Sequence, residues 1–154
     1  MAVLLFSPAL AENSVVVVRD NPDVYIFEPV PFDCSPRDEG YASLDLIGTV
    51  VEEVNGKEIP LPGVKFSVER SGGFAYYINQ RIIFLSNSNG QFFARLFVTA
   101  RLIIRGDTPG RVCYTQRSKL RIEKNGYKTM FLWFDYEMPE VKIIMTKKAA
   151  QSPD

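Results

Sequence analysis

Apolar and polar positions alternate in short runs along most of this chain, and Gly, Pro and Asn cut the runs apart. Val64, Phe66 and Val68 set three apolar side chains on one face, with Lys65, Ser67 and Glu69 on the other. Ser118 to Glu123 repeats the pattern with Leu120 and Ile122 inward, and Met130 to Tyr136 alternates again. A period of two is the mark of half-buried strands. Val15 to Val18, Val24 to Phe27, Leu46 to Val54, Phe74 to Leu85, Phe92 to Val98, Leu102 to Ile104 and Val141 to Met145 read as further extended pieces. Between them, Asn55-Gly56, Ser71-Gly72-Gly73, Ser86 to Gly90, Gly106 to Gly110 and Asn125-Gly126 carry turn chemistry. No long segment keeps a helical period without Gly or Pro, so helix content is expected to be low. The pattern predicts an all-β fold, a single antiparallel β-sandwich.

The sandwich is expected over residues 44–146, before a polar tail at 147–154 that should fray. Residues 1–43 read as an N-terminal extension: a signal-like segment at 1–11, a strand, and a linker holding Pro29, Pro31 and Pro36. Ala9-Leu10-Ala11 resembles a signal-peptidase site, but no Lys or Arg precedes it and Pro8 lies inside the segment. Either it is cleaved and the chain is secreted or periplasmic, or it is an ordinary strand of a cytoplasmic protein or of a virion or other assembly.

Composition narrows the function more than the fold. The 154 residues suit one domain, and 12% aromatics favour strands. No apolar run is long enough to span a bilayer as a helix. Net charge is zero but unevenly laid down: residues 1–90 hold 6 Lys/Arg against 12 Asp/Glu, and residues 91–130 hold 9 against 2. Either basic strands lie beside acidic ones and the charges cancel, or two opposite surfaces meet across copies or partners in a salt-screened contact. Zero net charge argues against nucleic acid as a partner.

The chain has no histidine. That removes Ser-His-Asp and Cys-His catalysis in their usual forms, and His-based metal sites. Cys34 and Cys113 are too few for structural zinc. They are either a disulfide, closing a loop of about 80 residues for about 4–5 kcal/mol, or two free thiols. Glu52 and Glu53 are neighbours on a strand, so they point to opposite faces and do not form an acid–base pair. Asp20-Asn21-Pro22-Asp23 reads as a plain turn and not as a calcium loop. Phe131 and Trp133 face away from Met130, Leu132 and Phe134. They are either an open platform for a sugar ring or a protein partner, or covered by the segment from Gly106 to Arg117. Tyr76 and Tyr77 either line the same kind of surface or alternate into the core.

Three groups of residues carry a resemblance: Gly63-Val64, Asn89-Gly90-Gln91-Phe92 and Lys124-Asn125-Gly126-Tyr127. Over residues 44–146 the chain resembles the carboxypeptidase regulatory-like family. The resemblance implies a prealbumin-like (transthyretin-like) sandwich of about seven strands and, usually, a non-catalytic accessory role. The chain departs from the family in a longer, more aromatic Arg70 to Leu85, in an extended loop at Gly106 to Arg117, and in the N-terminal 43 residues. Enzymes of related fold fail residue by residue: hydroxyisourate hydrolases need histidines and a C-terminal Tyr-Arg-Gly-Ser, and intradiol dioxygenases need two His and two Tyr. The expectation is therefore a non-enzymatic interaction or structural module, without cofactor, metal or catalytic residues, working through protein contacts in a cell envelope, filament or virion. Self-association belongs to that expectation. The alternatives are a carbohydrate-binding module using Phe131, Trp133, Tyr76 and Tyr77, and a hydrolase with an unrecognised carboxylate pair. Tyr127 is expected at a strand start, its ring packed and its hydroxyl bonded.

Overall fold

The structure is a computed structural model; it describes residues 15–19, 24–25, 32–33, 42–70, 75, 78–103, 112–116, 118–134 and 140–150. For 24–25, 32–33, 42, 70, 99–103 and 112–116 the backbone alone is described. The described residues form twelve strands: β1 (Val16–Arg19), β2 (Val24–Tyr25), β3 (Phe32–Asp33), β4 (Ala42–Val54), β5 (Lys57–Pro60) and β6 (Lys65–Arg70), followed by β7 (Ile83–Leu85), β8 (Gln91–Ile103), β9 (Val112–Gln116), β10 (Ser118–Glu123), β11 (Met130–Phe134) and β12 (Val141–Ile144). One sheet runs β1-β12-β4-β8-β9-β3, with β5 paired to β4, and the other runs β2-β11-β10-β6-β7. The fold is an all-β sandwich, as the alternation implies. Among the described residues no helix is long and apolar enough to cross a membrane.

The strands exceed the expected seven: the first 43 residues add β1, β2 and β3 to the two sheets, and β4 to β12 are nine more. There β1 and β2 join β12 and β11 in parallel, β12 itself is parallel to β4, and β3 pairs antiparallel with β9. Val18 of β1 is buried in the common core. A strand of four residues needs only one inward side chain and a free sheet edge, which a Pro-rich stretch can supply in pieces. The start of the polar tail is also tied: Lys147 bridges to Tyr127, and the Lys148 N–H donates to the Gly126 carbonyl at 2.8 Å.

The core follows from the period of two. Leu46, Val50, Leu96 and Val98 of one sheet meet Val64, Phe66, Leu120, Ile122 and Leu132 of the other, all fully buried. The Phe66 ring stacks on Phe84 at 4.7 Å and meets Phe92 at 4.5 Å. Gly48 lets β12 and β4 lie close: a Cβ there would collide with the Val141 carbonyl oxygen and the Phe92 ring.

Two expectations from the alternation are corrected. Val112–Gln116 is not loop but strand β9, paired with β8 from Thr99 to Ile103. Phe74 to Leu85 is not continuously extended, for Ala75, Ile78 and Asn79 are helical and only Ile83–Leu85 is strand. Ala75 and Asn79 lie four residues apart, share a helix face and are both fully buried. The Asn79 carboxamide donates to the Phe97 carbonyl at 2.6 Å and accepts the Phe97 N–H at 3.0 Å. It satisfies β8 just before β9 begins, as a neighbouring strand would.

Candidate functional site

Three places bring chemistry-bearing side chains together. The first is built on the Asn125-Gly126 turn, where Gly126 takes a φ of 84° and the Tyr127 N–H donates to the Lys124 carbonyl at 3.0 Å. The turn aims Tyr127 across the sheet, where its ring is buried and its hydroxyl donates to Glu52 Oε2 at 2.9 Å. The Lys147 ammonium reaches the same oxygen at 3.0 Å and stands 5.9 Å from the ring centre. Hydrogen bonds from Lys147 and then from Tyr127 hold the Glu52 carboxyl below the usual carboxylate range. Burial, and then the bond to Glu52, push the tyrosine hydroxyl up; the Glu52 carboxylate raises Lys147. Glu53, on the other face as expected, pairs with Arg19 at 2.8 Å. Glu52, Glu53, Arg19 and Lys147 border a cleft of about 440 Å³ in which each of these charges already has its opposite. Chemically it is a fastening that ties the start of the tail to β4.

The second place is the outer face of the five-stranded sheet. Phe131 and Trp133 are half-buried, opposite Arg121 and Lys119 respectively. The Lys119 ammonium lies 4.4 Å from the Phe131 ring centre and 5.4 Å from that of Trp133. The cation stands where a stacked sugar ring would lie. Tyr76, Tyr77 and Cys34 lie outside the described residues. Cys113 is described by its backbone alone, opposite Phe32 and Leu102; its pairing with Cys34 therefore also lies outside them.

The third place is the outer face of the seven-stranded sheet. There Asp45 stands opposite Arg95 and Ile47 opposite Phe93. Arg95 Nε donates to Asp45 Oδ1 at 2.8 Å and its second nitrogen to Oδ2 at 3.2 Å, which lowers the Asp45 pKa. Lys142 holds Glu58 at 3.0 Å, and on the other sheet Arg121 holds Glu123 at 2.8 Å. The uneven charge along the chain is thus folded back on itself for these groups, because acidic β4 lies between β8 and β12. Of these pairs Asp45–Arg95 joins the acidic segment to the basic one across β4 and β8, as the cancelling alternative expects.

The same face leaves apolar bulk in water. Ile47 is 49% exposed and Phe93 59%, and Leu85 at the neighbouring sheet edge is 60% exposed. With Thr49, Gln91 and Glu140 they border an open cleft of about 430 Å³. Ile47 and Phe93 carry a signal in the sequence as well. Phe92 and Phe93 are adjacent, so one ring must face out of β8; Leu44 and Leu46 fix the inward phase of β4, which turns Ile47 outward.

No family model matches the chain, and no curated protein matches it. Among solved structures it is similar to the wild-type catechol 1,2 dioxygenase of Acinetobacter radioresistens, with 13% identity over 91% of this chain and 59% of that one and a TM-score of 0.48. It is similar also to 3-chlorocatechol 1,2-dioxygenase from Rhodococcus opacus, with 19% identity over 68% of this chain and 46% of that one and a TM-score of 0.38. The chain spans less than two thirds of the length of either protein. Both are enzymes, and the expectation of a non-enzymatic module is corrected to that extent: a sandwich is no ground for ruling catalysis out. No residue role passes from those enzymes to this chain at such identities.

Proposed function

We propose that this protein associates with a second copy of itself through the outer face of its seven-stranded sheet, with Ile47 and Phe93 at the centre of the contact. The observation that carries this reading is the exposure of that cross-strand pair on a face whose flanking charges answer one another. Asp45–Arg95, Lys142–Glu58 and Arg19–Glu53 are internal pairs, so a highly charged partner finds little to match there. The surface that is left is apolar and self-complementary. A two-fold axis beside Phe93 sets the ring of one copy into the cleft between Ile47 and Leu85 of the other, and the reverse. The arrangement is an apolar centre within a polar rim, the rim formed by Glu140, Gln91 and the Asp45–Arg95 pair. As an expectation from sequence, the carboxypeptidase regulatory-like resemblance is part of the same reading; Gly63, Gly90 and Gly126 stand at turns with positive φ, which supports it.

The test is the mass of the particle in solution by light scattering, for the wild type and for Phe93→Ser and Ile47→Lys. The reading expects a dimer at high concentration for the wild type and a monomer for both variants, with the variants as stable as the parent. A wild type that stays monomeric up to its solubility limit, or variants that associate equally well, would overturn it.

A further inference from the structure

Three Asn-Gly steps stand at turns, and the protein holds them to very different degrees. At Asn89-Gly90, the N–H groups of Asn89 and Gln91 both donate to the Asn87 side-chain oxygen at 2.9 Å. The Gly90 N–H donates to the Asn87 carbonyl at 2.9 Å, the Gly90 carbonyl accepts from Val50 at 2.7 Å, and Gly90 is buried. At Asn125-Gly126, the Tyr127 N–H closes the turn on Lys124 at 3.0 Å and the Lys148 N–H holds the Gly126 carbonyl at 2.8 Å. The Lys124 ammonium adds a bond to the Pro62 carbonyl at 2.6 Å. Asn55-Gly56 has only the hairpin rung that it closes, Val54 opposite Lys57. Both residues are exposed, with φ values of 51° and 75°, and open space surrounds Gly56; Asn125 and Gly126 share that exposure and openness, so the hydrogen bonds alone set the two turns apart.

We propose that Asn55 is a site of spontaneous covalent modification, through a succinimide formed with Gly56. The Gly56 backbone nitrogen attacks the Asn55 side-chain amide carbon. A new C–N bond closes a five-membered ring, the side-chain nitrogen leaves as ammonia, and that ammonia carries away the proton of the Gly56 N–H. Water then adds to either ring carbonyl and breaks one ring C–N bond, which leaves aspartate or isoaspartate; no oxidant or reductant takes part. Glycine at the second position leaves the attacking nitrogen unshielded. Ring closure needs rotation about the Asn55 backbone and side-chain bonds, which the contacts of a closed turn resist. The contacts that hold each turn therefore set the order of reaction, and Asn55 has the fewest. The product places a carboxylate on a hairpin that already carries Glu52, Glu53 and Glu58, and isoaspartate lengthens the main chain at the Val54–Lys57 rung.

Peptide mapping by mass spectrometry, with an isoaspartate-specific readout, tests this on the whole chain held at physiological temperature and mildly alkaline pH, folded and in denaturant. In the folded protein Asn55 should convert at least about tenfold faster than Asn89 and Asn125, equivalent to about 1.4 kcal/mol of opening free energy. In denaturant the three rates should converge. Conversion at Asn89 or Asn125 as fast as at Asn55, no conversion at Asn55, or the same lead for Asn55 in denaturant would each overturn the assignment.

Discussion

Ile47 and Phe93 stand directly opposite each other on β4 and β8 and both point out of the sandwich into water. Neither side chain contributes to the core, so at concentrations where both chains are monomeric Phe93→Ser should leave the unfolding free energy within about 1 kcal/mol of the parent, the worth of the cross-strand pair. Chemical denaturation checks this. A loss well above that range would mean that Phe93 supports the fold, and its exposure would then say nothing of a contact surface.

Gly48 faces the Val141 carbonyl and the Phe92 ring with no space for a methyl group. The first of these is backbone in the β12–β4 ladder and does not yield without breaking the parallel pairing. Gly48→Ala should therefore cost at least the upper part of the overpacking range, about 3 kcal/mol, measured as a shift of the urea midpoint. A near-neutral variant would show that the two strands lie farther apart.

Asn79 holds both the N–H and the carbonyl of Phe97. Asn79→Ala leaves two backbone groups of β8 without that partner, at about 1–3 kcal/mol each. It also uncovers a strand edge, so aggregation during refolding should increase. Asn79→Asp keeps the acceptor and loses the donor to the Phe97 carbonyl, and should be no better than alanine. Thermal melts with turbidity detection follow both effects; wild-type behaviour in either variant would contradict the edge-closing role.

The Glu52–Tyr127–Lys147 cluster sets a pH window for stability. Glu52 titrates below its ordinary 4.5 in the folded chain, so its contribution is in place above that value and is lost as pH falls through the folded pKa. Tyr127 and Lys147 titrate above their ordinary 10.0 and 10.5, so their contribution is in place below those values and is lost as pH rises through the folded ones. Melting temperature against pH should fall off on both sides, and Glu52→Gln should flatten the acid side. Tyr127→Phe should cost roughly 1–2 kcal/mol, for a bond to a charged group partly screened by water, and Tyr127→Ala about 3–5 kcal/mol. An acid limb unchanged in Glu52→Gln would remove Glu52 from the account.

What was legible in the sequence is what a period of two can carry. Leu120, Ile122, Met130, Leu132 and Phe134 face inward as the alternation requires, and Tyr127 is buried with its hydroxyl bonded as expected, though it stands on an isolated bridge to Lys147 and not at a strand start. The helical state of Asn79 was not legible, because its purpose lies in a contact with Phe97, eighteen residues away. Neither was the parallel placement of β1, since strand neighbours distant in sequence leave no local signal. For the contact surface, Phe131 and Trp133 drew notice as aromatic residues, but Lys119 covers both rings. Ile47 and Phe93 were hidden in strands that read as ordinary, although their phase already turned them outward.

Sedimentation equilibrium of the wild-type chain, at low and at high ionic strength, tests the central claim most directly. An apolar contact centred on Ile47 and Phe93 is little screened by salt, so the monomer–dimer equilibrium should appear in both conditions with nearly the same constant. A chain that is monomeric at every concentration, or a dimer that dissolves as salt rises, would contradict it.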